Sequence, residues 1–234
     1  MARLEELQSA VADIFSARWA SRTGQVVPDS EDLRLGNDVV EFDRATILYA
    51  DLQGSTHMVD SEPWWRSAEI YKTFLHCAAS IIRDEGGAIT SYDGDRVMGI
   101  WIGKRQTTPA AIAGLKVNFA VQNVINPAFR RQYPDTSLEV KQVVGIDTSA
   151  IRAARTGVRG GNDIVWVGRA ANYAAKLTNL NLEERTWVTE DAFNWLADEA
   201  KLGGPMKQLM WKKFRWSQQG DMPIYGSTWC WNIT

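Results

Sequence analysis

Two aspartates define the chemistry open to this chain. Asp51 closes an apolar run, "ILYADLQGST", and the small residues Gly54, Ser55 and Thr56 follow it. Asp95 lies in "YDGDRVMGIW", just past a glycine turn between two apolar runs. A lone aspartate at a strand end is ordinarily a cap, and a lone "DGD" is ordinarily a turn. As a pair, each flanked by strand, they have another use. Two carboxylates placed together repel, and one keeps its proton unless cations sit between them. Hard divalent ions such as Mg2+ take carboxylate oxygens and leave positions open for phosphate. Two such ions can activate an attacking oxygen and stabilise a leaving one in phosphoryl chemistry. The small residues after Asp51 let backbone N–H groups approach a polyphosphate, and the helix that follows offers its N-terminus to negative charge.

The elements that must position these acids are legible in the spacing. Leu4, Leu7, Val11, Ile14 and Phe15 predict a helix over 3–20, with a stripe that could pack on its own domain or on a second copy. Residues 21–36 read as a polar connection with Gly and Pro. A strand over 44–51 ends at Asp51. A helix over 63–84 carries Trp64, Tyr71, Phe74, Leu75, Ala78 and Ile82 on one face, and Gly86 and Gly87 stop it. Residues 88–102 read as a hairpin turning at Asp93-Gly94. Pro109 opens a helix to about Asn126. The segment 137–154 is a strand pair or a bent strand, 168–180 a helix, 186–190 a short strand, and 190–200 another helix. The tail from Lys212 to Trp231 is a closing hairpin turning near Gln219-Gly220. The fold class is therefore α+β, with a ferredoxin-like βαββαβ core, an N-terminal helix and a C-terminal hairpin. The division is residues 1–36, helix and connection, and residues 37–234, the catalytic domain. In such a sheet the first strand and the hairpin are central neighbours, so Asp51 and Asp95 can meet at one end.

Composition narrows the class. A net charge of −2 argues against a nucleic-acid or anionic-membrane surface. Two cysteines, Cys77 and Cys230, make no disulfide framework and read as free thiols. No apolar run is long enough to cross a bilayer, and the first residues lack a signal-peptide core. A cytoplasmic protein is expected. No Cys/His set has zinc spacing.

The two acidic motifs, in this order, resemble the catalytic domain of class III nucleotidyl cyclases. "VGRAANYAAKL" is similar to that family's third motif, giving Gly168, Asn172 and, where an arginine is usual, Lys176. "VVGIDTS" resembles its middle strand and "GDMPIYGSTW" its last hairpin, so the likeness covers about residues 40–231. It implies a homodimer with sites at the interface, one subunit giving the aspartates and the other the asparagine and the cation. It implies two divalent cations, Mg2+ or Mn2+, held by Asp51, the adjoining Leu52 and Asp95. Asn172 orients the ribose and Lys176 steadies charge on the phosphates. The ribose 3′-hydroxyl attacks the α-phosphate, pyrophosphate leaves, and a 3′,5′-cyclic nucleotide results.

The departures concern the base. Purine enzymes of the class read it with a Lys or Glu where this chain has Ser91, and with an Asp, Thr or Cys where it has Val165. Neither purine code is present. A single catalytic unit lacking that pair resembles the pyrimidine cyclases of the bacterial Pycsar anti-phage system. Tyr49, on the Asp51 face of the strand, would narrow the pocket, and Arg96 would donate to a pyrimidine carbonyl. Ser91 can donate or accept. The family's triphosphate lysine aligns to Ser217, with Lys213 and Arg215 at the same strand parity as substitutes. The expectation is UTP converted to cyclic UMP, read by a separately encoded effector. A cytidylate cyclase, a purine cyclase with an atypical pocket, and a silent nucleotide-binding dimer stand as alternatives.

Overall fold

The computed structural model describes residues 2–158 and 161–233. Helix α1 (Ala2–Ser16) leads into strand β1 (Ala20–Thr23) and then β2 (Asp38–Leu52). Helices α2 (Ser55–Ser61) and α3 (Trp64–Asp84) follow, then the hairpin β3 (Ala88–Asp93) and β4 (Arg96–Ile102). Next come α4 (Thr107–Ala120), a π-helical turn over Val121–Ile125, and α5 (Asn126–Gln132). The long strand β5 (Gln142–Val158) pairs with β6 (Gly161–Val167), and α6 (Arg169–Leu177) returns to β7 (Thr186–Thr189). Short helices α7 (Glu190–Asn194) and α8 (Asp198–Lys201), a small β8–β9 pair (Leu202–Gly203, Gln208–Leu209), and the hairpin β10 (Lys212–Trp216) and β11 (Met222–Ser227) complete the chain.

Among the described residues, nine strands form the main sheet in the order β10-β11-β7-β5-β2-β4-β3, with β1 and β6 attached at its side. The four strands β5-β2-β4-β3 are all antiparallel and have the order of a βαββαβ unit. Strands β2 and β5 are long enough to serve two tiers. Where β2 runs through residues 45–50 its outer neighbour is β4, and through residues 38–41 it is β1. Likewise β5 meets β7 over 144–146 and β6 over 152–158.

Leu48, Ala50 and Leu52 on one face of β2 pack with Phe74, Ala78 and Ile82 of α3 and with Ala110, Ala113 and Val117 of α4. The other face carries Ala45, Ile47, Met98 and Ile100, and packs against Ala170, Ala171 and Ala174 of α6. The small alanine face of α6 lets it lie close. A methyl on Gly145 of β5 would collide with the carbonyl oxygen of Ala174.

Several boundaries differ from those read in the sequence. The N-terminal helix stops at Ser16 because the chain is captured as β1 by the edge of β2, so residues 20–23 lie in the sheet and not in a connection. Strand β2 starts at Asp38 and not at 44, with a bulge between Phe42 and Ala45. The helix expected over 109–126 starts at Thr107 and passes through the π turn, and 190–200 is two short helices. The 142–158 stretch is one strand, and its partner β6, not expected from the sequence, alternates exposed and half-buried residues.

Candidate active site

Asp51 and Asp95 do meet. Asp51 is the last outward residue of β2 on the α6 face, two positions beyond Tyr49. Asp95 and Gly94 form the two-residue turn that closes β3 onto β4, since Asp93 pairs with Arg96. The turn sits one residue later than expected, and Gly94 supplies its left-handed φ of 62°. Asp51 is half-buried, and its carboxyl is pushed up to about 6, first by burial and then by the neighbouring Asp95 carboxylate. Arg96 and the Thr178 hydroxyl, 3.4 Å from Asp51 Oδ2, oppose that shift.

These acids fit a divalent cation. Asp95 Oδ2 is buried without a hydrogen-bond partner, and the adjacent Asp51 carboxyl gains from any positive charge placed between them. Two carboxylates with no third acid, histidine or cysteine clustered among the described residues leave coordination positions for phosphate and water. The Leu52 side chain is buried on the opposite face, so only its backbone can serve the site.

Gly54, with φ 74°, turns the chain into α2. The first helical bond runs from Met58 N–H to the Gly54 carbonyl, so the N–H groups of Ser55, Thr56 and His57 have no intrahelical acceptor. Because α2 is only seven residues long, these N–H groups, rather than a long helix dipole, are what the loop offers to an anion. Tyr71 of α3 joins them, and sequence reasoning had placed it only in the core stripe. Its hydroxyl bonds to Ser55, and burial, Asp95 and Asp51 together hold its proton on.

Tyr49, Ser91 and Arg96 lie beside the acids. Tyr49 and Ser91 both pair with Met98, from either side of β4. The Arg96 guanidinium lies over the Tyr49 ring, 5.2 Å from its centroid, and bonds to Asp93 at 2.8 Å. Its Nε is buried and unpartnered.

Asn172 and Lys176 are exposed on the side of α6 away from the sheet, one turn apart. They do not turn onto Asp51 of their own chain. The helix that carries them is firmly seated. Ser149 Oγ accepts from Ala170 N–H, and Arg169 binds the fully buried Asp147 at 3.0 Å and also Asp191. Tyr173 packs edge-on against Trp216, with centroids 5.6 Å apart.

Val165, Lys213 and Arg215 are not brought to Asp51 within the chain. Val165 pairs with Ala154, which pairs with Val39. Asp51 is twelve residues further along β2, or roughly 40 Å at strand rise. Val165 also faces outward, whereas Ile164 and Trp166 pack on the cluster that underlies Tyr49. Lys213 pairs with Glu190 at 2.8 Å and lies over Tyr225 on the α7 side of the sheet. Arg215 shares its parity, so neither turns to the site face. The adjacent Lys212 does, lying over Phe214, which packs on Trp187.

Among known proteins, no family model matches the chain. A uridylate cyclase of Burkholderia cepacia is 48% identical over 234 residues, 100% of both chains. A uridylate cyclase of Xanthomonas perforans is 47% identical over 230 residues, 98% of each chain. Among solved structures, a bacterial light-regulated adenylyl cyclase superposes with a TM-score of 0.67 at 15% identity, over 83% of this chain and 54% of the other. That last likeness is one of fold alone. With two carboxylates and a glycine-turned loop assembled at one sheet end, and with 47–48% identity to such relatives along essentially the whole chain, the chain belongs to the uridylate cyclase family and has the class III nucleotidyl cyclase fold.

Proposed function

We propose that the protein converts UTP to 3′,5′-cyclic UMP and pyrophosphate, as a homodimer with two composite sites. The observation that carries this is the convergence of Asp51 and partnerless Asp95 with Tyr49, Ser91 and Arg96 on one face. Asp51, Asp95 and the Leu52 backbone would hold two divalent cations, Mg2+ or Mn2+. When bound, these supply Lewis-acid activation of the 3′-hydroxyl and neutralise the phosphates. The loop from Gly54 to Thr56 cradles the triphosphate through its N–H groups, with the Ser55 hydroxyl fixed by Tyr71. Asn172 from the second copy orients the ribose. Lys176, also from that copy, places positive charge where negative charge grows on the phosphates during attack, without the two-pronged grip an arginine would give.

Base choice rests on size and donors. The Tyr49 ring, beneath the Arg96 guanidinium, would narrow the space open to a purine, and the buried Arg96 Nε is a donor awaiting an acceptor. A carbonyl at the pyrimidine edge would satisfy it. Uracil offers carbonyls on both sides of its N–H, which favours UTP over CTP. The names of the relatives support the same choice. We further propose that the product signals phage infection to a separately encoded receptor.

The test is incubation of the purified protein with Mn2+ and each of ATP, GTP, CTP and UTP, with products identified by mass. Cyclic UMP as the dominant product is expected. Cyclic AMP or cyclic GMP in its place would overturn the reading of Tyr49 and Arg96.

A further inference from the structure

Helix α1 buries none of its residues. Leu4, Leu7, Val11 and Ile14 are each at least half exposed, and Phe15 is 86% exposed. Their spacing of three, four and three is a heptad seam, with Leu4 and Val11 at the first core position and Leu7 and Ile14 at the second. Only Ala17, Arg18 and Trp19 separate the helix from β1, which is hydrogen-bonded into the sheet from Ala20. The helix is therefore tethered on a short lead.

We propose that α1 pairs in parallel with α1 of a second copy, forming a short coiled coil that clamps the dimer. The charges select this occupant. Glu5, Glu6 and Asp13 all lie on the outer positions of the heptad, and the positions flanking the seam are Arg3, Gln8, Ala10, Phe15 and Ala17. Two copies thus meet without opposing acids. A lipid surface suits the helix poorly, because interfacial helices carry Lys and Arg on the polar face and here that face is acidic. The size also fits a clamp and not a sole interface. Fifteen residues span about 22 Å, a length at which helices are marginal without further packing. Appended to a second contact between the same chains, it gains through effective concentration. That second contact is the composite site proposed above, and the inference rests on that reading in this respect.

The test is cysteine crosslinking in the full-length chain. In a parallel pair Val11 faces its own copy, whereas Ser9 points outward. Under mild oxidation Val11→Cys is expected to give a disulfide-linked dimer that neither wild type nor Ser9→Cys gives. A second variant, Leu7→Glu with Ile14→Glu, is expected to raise the dimer dissociation constant in sedimentation at least about tenfold. No crosslink at Val11, equal crosslinking at Ser9, or an unchanged dissociation constant would each overturn the pairing. The crosslink is read without activity. A Val11 dimer in a protein that makes no cyclic UMP would sink the proposed function and leave the clamp standing. Cyclic UMP without the crosslink would do the reverse.

Discussion

Replacing Asp51 with asparagine should make the metal-free protein more stable while removing its activity. In the folded chain the Asp51 carboxyl sits at about 6, against an ordinary 3.8. A folded value above the unfolded one means the folded state holds this proton more tightly. Ionising Asp51 therefore costs nothing below about pH 4, and the cost grows as pH rises, reaching its full value above about pH 6. Taken at face value the displacement corresponds to about 3 kcal/mol. The side chain is only part-buried, so water screens the penalty and we halve it to about 1.5 kcal/mol. For a domain of this size that is about 3–6 °C in Tm. Thermal melts in EDTA should show Asp51→Asn above wild type by this amount at pH 8, with the gap closing near pH 4. Millimolar Mn2+ should raise the wild-type Tm and leave the variant unmoved. A gain of the same size at both pH values would show that it comes from packing and not from ionisation. A variant no more stable than wild type at pH 8 would refute the electrostatic account outright.

The same carboxyl predicts an acid limb in activity. With Mn2+ limiting, kcat/KM should fall about tenfold per pH unit below about 6, as protons displace the cation. Tyr49→Ala should raise turnover of ATP or GTP relative to UTP, and Arg96→Met should lower kcat/KM for UTP by about ten- to a hundredfold, the worth of one charged hydrogen bond. Both are measured by product mass across the four triphosphates. Asp51→Asn and Asn172→Ala should each be inactive alone, yet an equal mixture should regain about a quarter of wild-type activity, because half of randomly exchanged dimers hold one intact site. Gly145→Ala should cost about 1–3 kcal/mol of stability in urea melts, since its methyl meets the Ala174 carbonyl oxygen.

The residues that were legible in the sequence share one property: each declares itself through local pattern. Asp51 ends an apolar run, Asp95 abuts a glycine turn, and Asn172 and Lys176 share a helix face. The structure brings the first two together and seats the helix of the others beside them. What stayed hidden depends on long-range pairing. Strand β1, "ASRT", is exposed throughout, so no apolar alternation marks it. It exists because the first part of β2 has a free edge. Tyr71 lies in a helical stripe that reads as core, and only the turn of Ser55 toward it gives its hydroxyl a role. Val165, Lys213 and Arg215 are not brought to the acids of their own chain, the first because it lies far along the strand and the others because of the face they take. For Lys213 and Arg215, alignment by motif spacing finds the strand but does not settle the face, because one residue of offset inverts every side chain.

The bulge between Phe42 and Ala45 illustrates what such an offset does to inheritance. Before it, even-numbered residues of β2 line the face that α6 covers; after it, odd-numbered residues do. Asp51 reaches the site only because β2 has one residue more there than the matching stretch of β5. Loops elsewhere in the chain can lengthen or shorten across generations with little consequence. A one-residue deletion at Asp43 or Arg44 would instead rotate the whole later strand, carrying Asp51 into the aliphatic layer beneath α3 and Leu52 out to solvent. Length at this point is therefore fixed by counting, whatever residue types fill it. Substitutions at the exposed Asp43 should pass freely where insertions and deletions do not, whereas Arg44 also stacks on Trp195.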